Sequence, residues 1–86
     1  MPLPNYQHEY SEAAELDWAL DRFHQALKAR MFDGVRRGKR GWQNFPEALE
    51  RAKIQIEDAE HAKRPNDKSR ELLDAAAFLF MAWWRT

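Results

Sequence analysis

Eighty-six residues with 14 basic and 14 acidic side chains, zero formal net charge and no cysteine make a single domain that buries only about 60 to 65% of its unfolded surface. Without cysteine there is no disulfide framework, thiolate metal site or thiol nucleophile, and the zero balance argues against a general nucleic-acid coat. Four tryptophans and five phenylalanines are more large apolar surface than a marginal monomer core hides, which favours a homodimer.

The chain opens with Met1-Pro2-Leu3-Pro4-Asn5, which lacks the basic and apolar regions of a signal peptide. Two prolines and little periodicity predict an extended arm over residues 1–10. Ser11 reads as an N-cap, with Glu12 and Glu15 in the first turn at the positive end of the helix dipole. Leu16, Leu20, Phe23, Leu27 and Met31 recur at spacings of three and four, predicting a helix near 12–32 that buries this stripe and stops at Gly34. Trp18 lies off the centre of the stripe.

Residues 33–44 read as a basic, glycine-rich loop. Gly34, Gly38 and Gly41 alternate with Arg36, Arg37, Lys39 and Arg40. Glycines let backbone approach a ligand and the cations offer charge-assisted donors, which suits a phosphate. The loop is not a Walker motif, since no Gly-Lys-Ser/Thr opens a helix here. Charge is polarised along the chain. Residues 1–27 hold one basic and five acidic side chains, for −4, whereas residues 28–44 hold six basic and one acidic, for +5.

Asn44 before Phe45-Pro46 predicts a second helix near 46–63, with Phe45, Leu49, Ala52, Ile56 and Ala59 as its core stripe and Gln55 and Asp58 beside it. Pro65 ends that helix, and Asp67 or Ser69 caps a third near 68–84. The third helix is apolar around most of its circumference, so one neighbour cannot cover it. Its run is too short to span a bilayer. The expectation is an all-α, antiparallel bundle of three helices completed by dimerisation, in a soluble, cytoplasmic protein with no membrane contact.

Glu71 and Asp74, one helical turn apart, open the third helix. If the second and third helices pack antiparallel, Gln55 and Asp58 come near them, and such an oxygen cluster suits Mg²⁺ or Mn²⁺ completed by phosphate oxygens and water. The histidines, His8, His24 and His61, are dispersed and give no zinc spacing.

Lys39-Arg40-Gly41-Trp42, an acid-bearing helix, and Glu71-x-x-Asp74 followed by Ala75, Ala76 and Phe78 together resemble the all-α nucleotide pyrophosphohydrolases of the MazG-like kind, over roughly residues 28–84. The resemblance implies Mg²⁺ and nucleoside triphosphate binding and release of pyrophosphate. It places Gln55 and Asp58 where the family has two glutamates, and neutral Gln55 weakens that motif. On this reading Asp58, Glu71 and Asp74 hold metal and Gln55, with Asp58, serves catalysis by positioning water. Arg36, Arg37, Lys39 and Arg40 neutralise phosphates and Trp42 stacks on the base. The expected hydrolysis is weak or lost. The competing expectation is a non-enzymatic adaptor or inhibitor that binds another protein through Phe80, Trp83, Trp84 and the N-terminal arm. Nucleic-acid contact through residues 36–42 is the weakest of the three.

Overall fold

A computed structural model describes residues 4–86, with side chains described from Tyr10 onward. Three helices account for most of it: α1 (Pro4–Arg36), α2 (Ala48–His61) and α3 (Pro65–Trp84), with a 3-10 turn at Trp42–Asn44 between the first two. No strand occurs among the described residues, and no helix there is long and apolar enough to cross a membrane.

The helix boundaries differ from the sequence expectation at both ends of α1, at the start of α2, where Asn44 lies in the 3-10 turn and the helix opens at Ala48 after Glu47, and between α2 and α3. The region read as an extended arm is helical from Pro4 on, while residues 1–3 lie outside the described residues. A first-position proline lacks only an N–H that has no helical partner anyway, and its fixed φ suits the helix. Ser11 is thus an exposed interior residue and not a cap. Gly34 does not stop α1 either. The stop is Gly38, at φ +92, where its N–H reaches the Val35 carbonyl and the Lys39 N–H reaches the Gly34 carbonyl, both at 3.0 Å. This pair of bonds satisfies the last carbonyls and needs the left-handed conformation that glycine takes without strain. Pro65, expected to end the second helix, also begins the third, in its first turn. Asp67 lies within that turn and accepts a bond from Arg70 at 3.0 Å.

α3 is the element the others meet. It packs along α2, touches α1 and touches the Trp42–Asn44 turn, whereas among the described residues α1 and α2 do not pack on each other. The short connection over residues 62–64 makes α2 and α3 an antiparallel hairpin. The buried residues are Ala48, Ala52 and Ala59 on α2 and Ala75 and Ala77 on α3. Thus α2 turns a small-residue stripe inward, Ala48-Ala52-Gln55-Ala59-Ala62, and leaves Leu49 and Ile56 56% and 41% exposed. Of the expected stripe, Ala52 and Ala59 are buried and Phe45 half-buried, but Leu49 and Ile56 stay outside because alanines let two helix backbones approach where larger side chains hold them apart. Ala75 and Ala77 are about 200° apart around α3, so that helix is covered on two sides.

The close approach makes a definite expectation about Ala52, which is 1% exposed. Ala52→Leu inserts a branched side chain where no space exists and should cost about 1–3 kcal/mol in urea unfolding. A change under about 0.5 kcal/mol would mean that the seam is looser than described.

α1 behaves differently. Its 33 residues give a length of about 50 Å, which matches the 55 Å long dimension of the molecule. From Tyr10 onward, solvent is lost only in its last turns, at Leu27, Met31, Asp33, Gly34 and Val35. All residues from Tyr10 to Ala26 are exposed, so the expected core stripe at Leu16, Leu20 and Phe23 is 59%, 57% and 45% exposed. α3 is 20 residues long and meets the C-terminal end of α1, and residues 10–26 of α1 stay exposed.

Candidate functional site

The candidate site is built on the first half of α3. Glu71 and Asp74 are both half-buried, one turn apart, so their carboxylates leave the helix on the same side. Asp74 faces α1, where the Arg30 Nε and Nη2 donate to its two carboxylate oxygens, the latter at 3.0 Å. This fork-to-fork pairing joins residues 44 positions apart in the chain and ties α1 to α3.

Arg30 is the residue that the sequence reading missed. It falls where Leu16, Leu20, Phe23 and Leu27 lead the eye to expect another apolar side chain, and a cation on such a stripe is a signal for a buried or half-buried carboxylate partner. Its pKa is raised, first by the hydrogen bond to Asp74, and further by the negative charges of Asp74, Glu71 and Asp33; partial burial opposes the shift. The guanidinium is a resident cation in a field set by three carboxylates.

Gln55 lies on the inward stripe of α2 between Ala52 and Ala59. Its Oε1 is buried and accepts no hydrogen bond. An unsatisfied buried acceptor costs about 1–3 kcal/mol, so this carbonyl oxygen wants a donor or a cation. Asp58, three residues on, is exposed. Among the described residues no three His, Asp or Glu side chains gather closely enough to hold a metal ion. Gln55 with its oxygen buried, and Glu71 with Asp74, are the parts of the expected oxygen set that lie inward; Asp58 points outward.

The basic residues occupy the end of α1 and the loop after it. Arg36 and Arg37 both reach back to Asp33, at 3.9 and 3.0 Å. The stem of Lys39 lies over Gly34, where an added Cβ would stand 3.7 Å from it. Arg40 is exposed, and Gly41 turns the chain at φ +86 into the Trp42–Asn44 turn. Trp42 is half-buried in an aromatic group at the far end of α3, with ring centroids 5.7 Å from both Phe80 and Trp84. Trp83 and Trp84 remain 65% and 54% exposed. From Asp74 to this group is about 9 to 15 Å along α3, so the acid pair and the basic, aromatic end are separate parts of one helix face region.

An open depression on the outer side of α2, lined by Lys53, Ile56, Glu57, Glu60 and His61, is formed by one helix alone and lacks the acid pair. No family model, curated protein or solved structure matches the chain.

Proposed function

We propose that this chain is a MazG-like helical protein that binds Mg²⁺ and a nucleoside triphosphate, with pyrophosphohydrolase activity weak or lost. The observation that carries the reading is Arg30, a cation already drawn to the Glu71–Asp74 edge of α3, beside a hairpin that buries the Gln55 oxygen without a donor. Asp74 is already held by Arg30, so an ion at this edge would take Arg30's place on Asp74. Glu71, Asp74 and the Gln55 carbonyl are the residues that would hold the ion, with Asp58 reaching it only by swinging inward. A bound Mg²⁺ polarises phosphoryl oxygens and neutralises developing charge. The exposed Arg40 and Lys39, with Arg36 and Arg37, supply positive potential toward the phosphates, and Trp42 is the base-stacking candidate beside them. Neutral Gln55 and outward Asp58 leave too little negative charge for tight metal binding, which accounts for weak turnover. A second copy of the chain is part of the reading, because the apolar stripe of α1 and the aromatic end of α3 are open to solvent.

Thermal unfolding with Mg²⁺ and a non-hydrolysable nucleotide tests the reading, since a ligand stabilises the fold by RT ln(1 + [L]/Kd). Millimolar Mg²⁺ should raise Tm, and Asp74→Asn should abolish the shift. Gln55→Glu gives the sharper result. It places a charge at a buried, donorless oxygen, so without metal it should lower Tm, while Mg²⁺ should restore stability and enlarge the shift beyond that of the unaltered chain. A metal-free loss that Mg²⁺ leaves untouched would sink the reading.

One observation favours a second reading. Trp83 and Trp84, next to half-buried Phe80, expose an aromatic surface of the kind that anchors interfaces. A non-enzymatic adaptor or inhibitor acting on another protein would use that end. Its mark would be a chain indifferent to Mg²⁺ and nucleotide that loses partner binding on Trp83→Ala.

A further inference from the structure

We propose that α1 is an antiparallel self-pairing helix, whose Leu16, Leu20 and Phe23 stripe is covered by the same stripe of a second copy. This rests on the reading that the chain self-associates, and it names the surface and the direction.

The stripe repeats at the spacing of a helix-to-helix seam. Ala13, Leu16, Leu20, Phe23 and Leu27 alternate steps of three and four, which keeps one narrow apolar line facing a partner helix over two heptads. Its C-terminal continuation, Leu27 and Met31, is half-buried in the part of α1 that also carries Arg30 to Asp74 on α3. The exposed stretch therefore prolongs an existing interface past the reach of α3. The side chains on the other face are occupied with one another, the Arg22 guanidinium 5.1 Å over the Trp18 ring and Gln25 donating to Asp21 at 3.1 Å.

Charge selects a second copy and sets its direction. Within α1, residues 4–27 carry −4, and residues 28–36, with Lys28, Arg30 and Arg36 against Asp33, carry +2. Two α1 helices side by side in the same direction place like charge against like; reversed, each acidic half lies along the basic half of the other, and the attraction acts within a Debye length of roughly 8–10 Å. In the reversed register Leu20 meets Phe23 of the second copy, and Leu16 meets Leu27. Ala19 then falls opposite Ala26, small residues that permit close approach along one flank. The free end of each α1 thereby comes to the α1/α3 seam of the other.

The chain has no cysteine, so crosslinks report only the positions introduced. Differently tagged Leu16→Cys and Leu27→Cys chains, refolded together and oxidised, should give a mixed disulfide dimer. Leu16→Cys alone should not crosslink, because its two copies sit about 16 Å apart along the pair, beyond the roughly 7 Å limit for a disulfide. Leu20→Asp with Phe23→Asp should weaken self-association by about 100-fold or more, on the scale of tenfold per 1.4 kcal/mol, with circular dichroism still helical. The crosslinking arm does not depend on that variant folding. Efficient Leu16→Cys self-crosslinking would overturn the direction. A sedimenting dimer that gives no mixed crosslink, or that survives the double aspartate, overturns pairing through α1 while leaving self-association standing. A monomer at tens of micromolar overturns both.

Discussion

Trp42→Ala should be the most destabilising single truncation outside the alanine seam. Trp42 is the link by which the loop after α1 grips the end of α3, in ring contact with both Phe80 and Trp84. A fully buried Trp→Ala change costs about 3–5 kcal/mol, and aromatic pairs add about 0.5–1.5 kcal/mol beyond area. Trp42 is half-buried, so the expected loss is about 2–3 kcal/mol, a fall in Tm of roughly 10–20 °C for a chain of this size. Trp42→Phe should keep most of it. A Trp42→Ala chain of unchanged Tm that loses only nucleotide affinity would assign the ring to the ligand instead of the fold.

Reversing Arg30 is the second large effect. Arg30→Asp removes the fork on Asp74 and sets a new carboxylate among Asp74, Glu71 and Asp33. The two partners are 38% and 27% exposed, which places the pair between a solvated bridge worth at most about 1 kcal/mol and a buried one whose breakage costs about 3–5 kcal/mol. A loss of about 1–2 kcal/mol is expected, read by denaturant unfolding. The double reversal, Arg30→Asp with Asp74→Arg, should recover most of it. A double variant no more stable than the single one would show that the pair contributes nothing. On the arginine side the pH dependence is flat. A raised pKa means that the stabilisation is fully present below the unfolded arginine value and is lost only when pH climbs through the raised one, above the range in which proteins are handled. From pH 7 to 10 the difference between the unaltered chain and Arg30→Gln should stay constant.

The all-helical class was legible because three long segments carry helical periodicity, and the central place of α3 was legible because its apolar residues run around the circumference. What could not be read was which face wins. On α2 the expected stripe mixes Phe45, Leu49 and Ile56 with Ala52 and Ala59, and hydrophobicity alone ranks the larger residues higher. Packing keeps the alanines and leaves Leu49 and Ile56 outside, since backbone approach along the hairpin outweighs area per side chain. The same choice carries Gln55 inward and turns Asp58 outward. The Glu71 and Asp74 pair was visible as spacing, but its partner was not, because Arg30 is brought to it from 44 positions away. α1 shows another limit. Its stripe is strong, and a stripe does not say whether its own chain covers it.

The alanine seam bears on the order in which the molecule takes shape. Burying alanine freezes no side-chain rotamers, and α2 and α3 are joined by so few residues that bringing them together closes a very short loop. The hairpin is thus the cheapest ordered piece the chain can make, with contacts local in sequence of the kind that form early. Docking of α1 must then wait for a surface that only the finished hairpin presents, with Asp74 in place to receive Arg30. Contact order thus favours the hairpin as the early piece and the Arg30–Asp74 contact, 44 positions apart, as the later one.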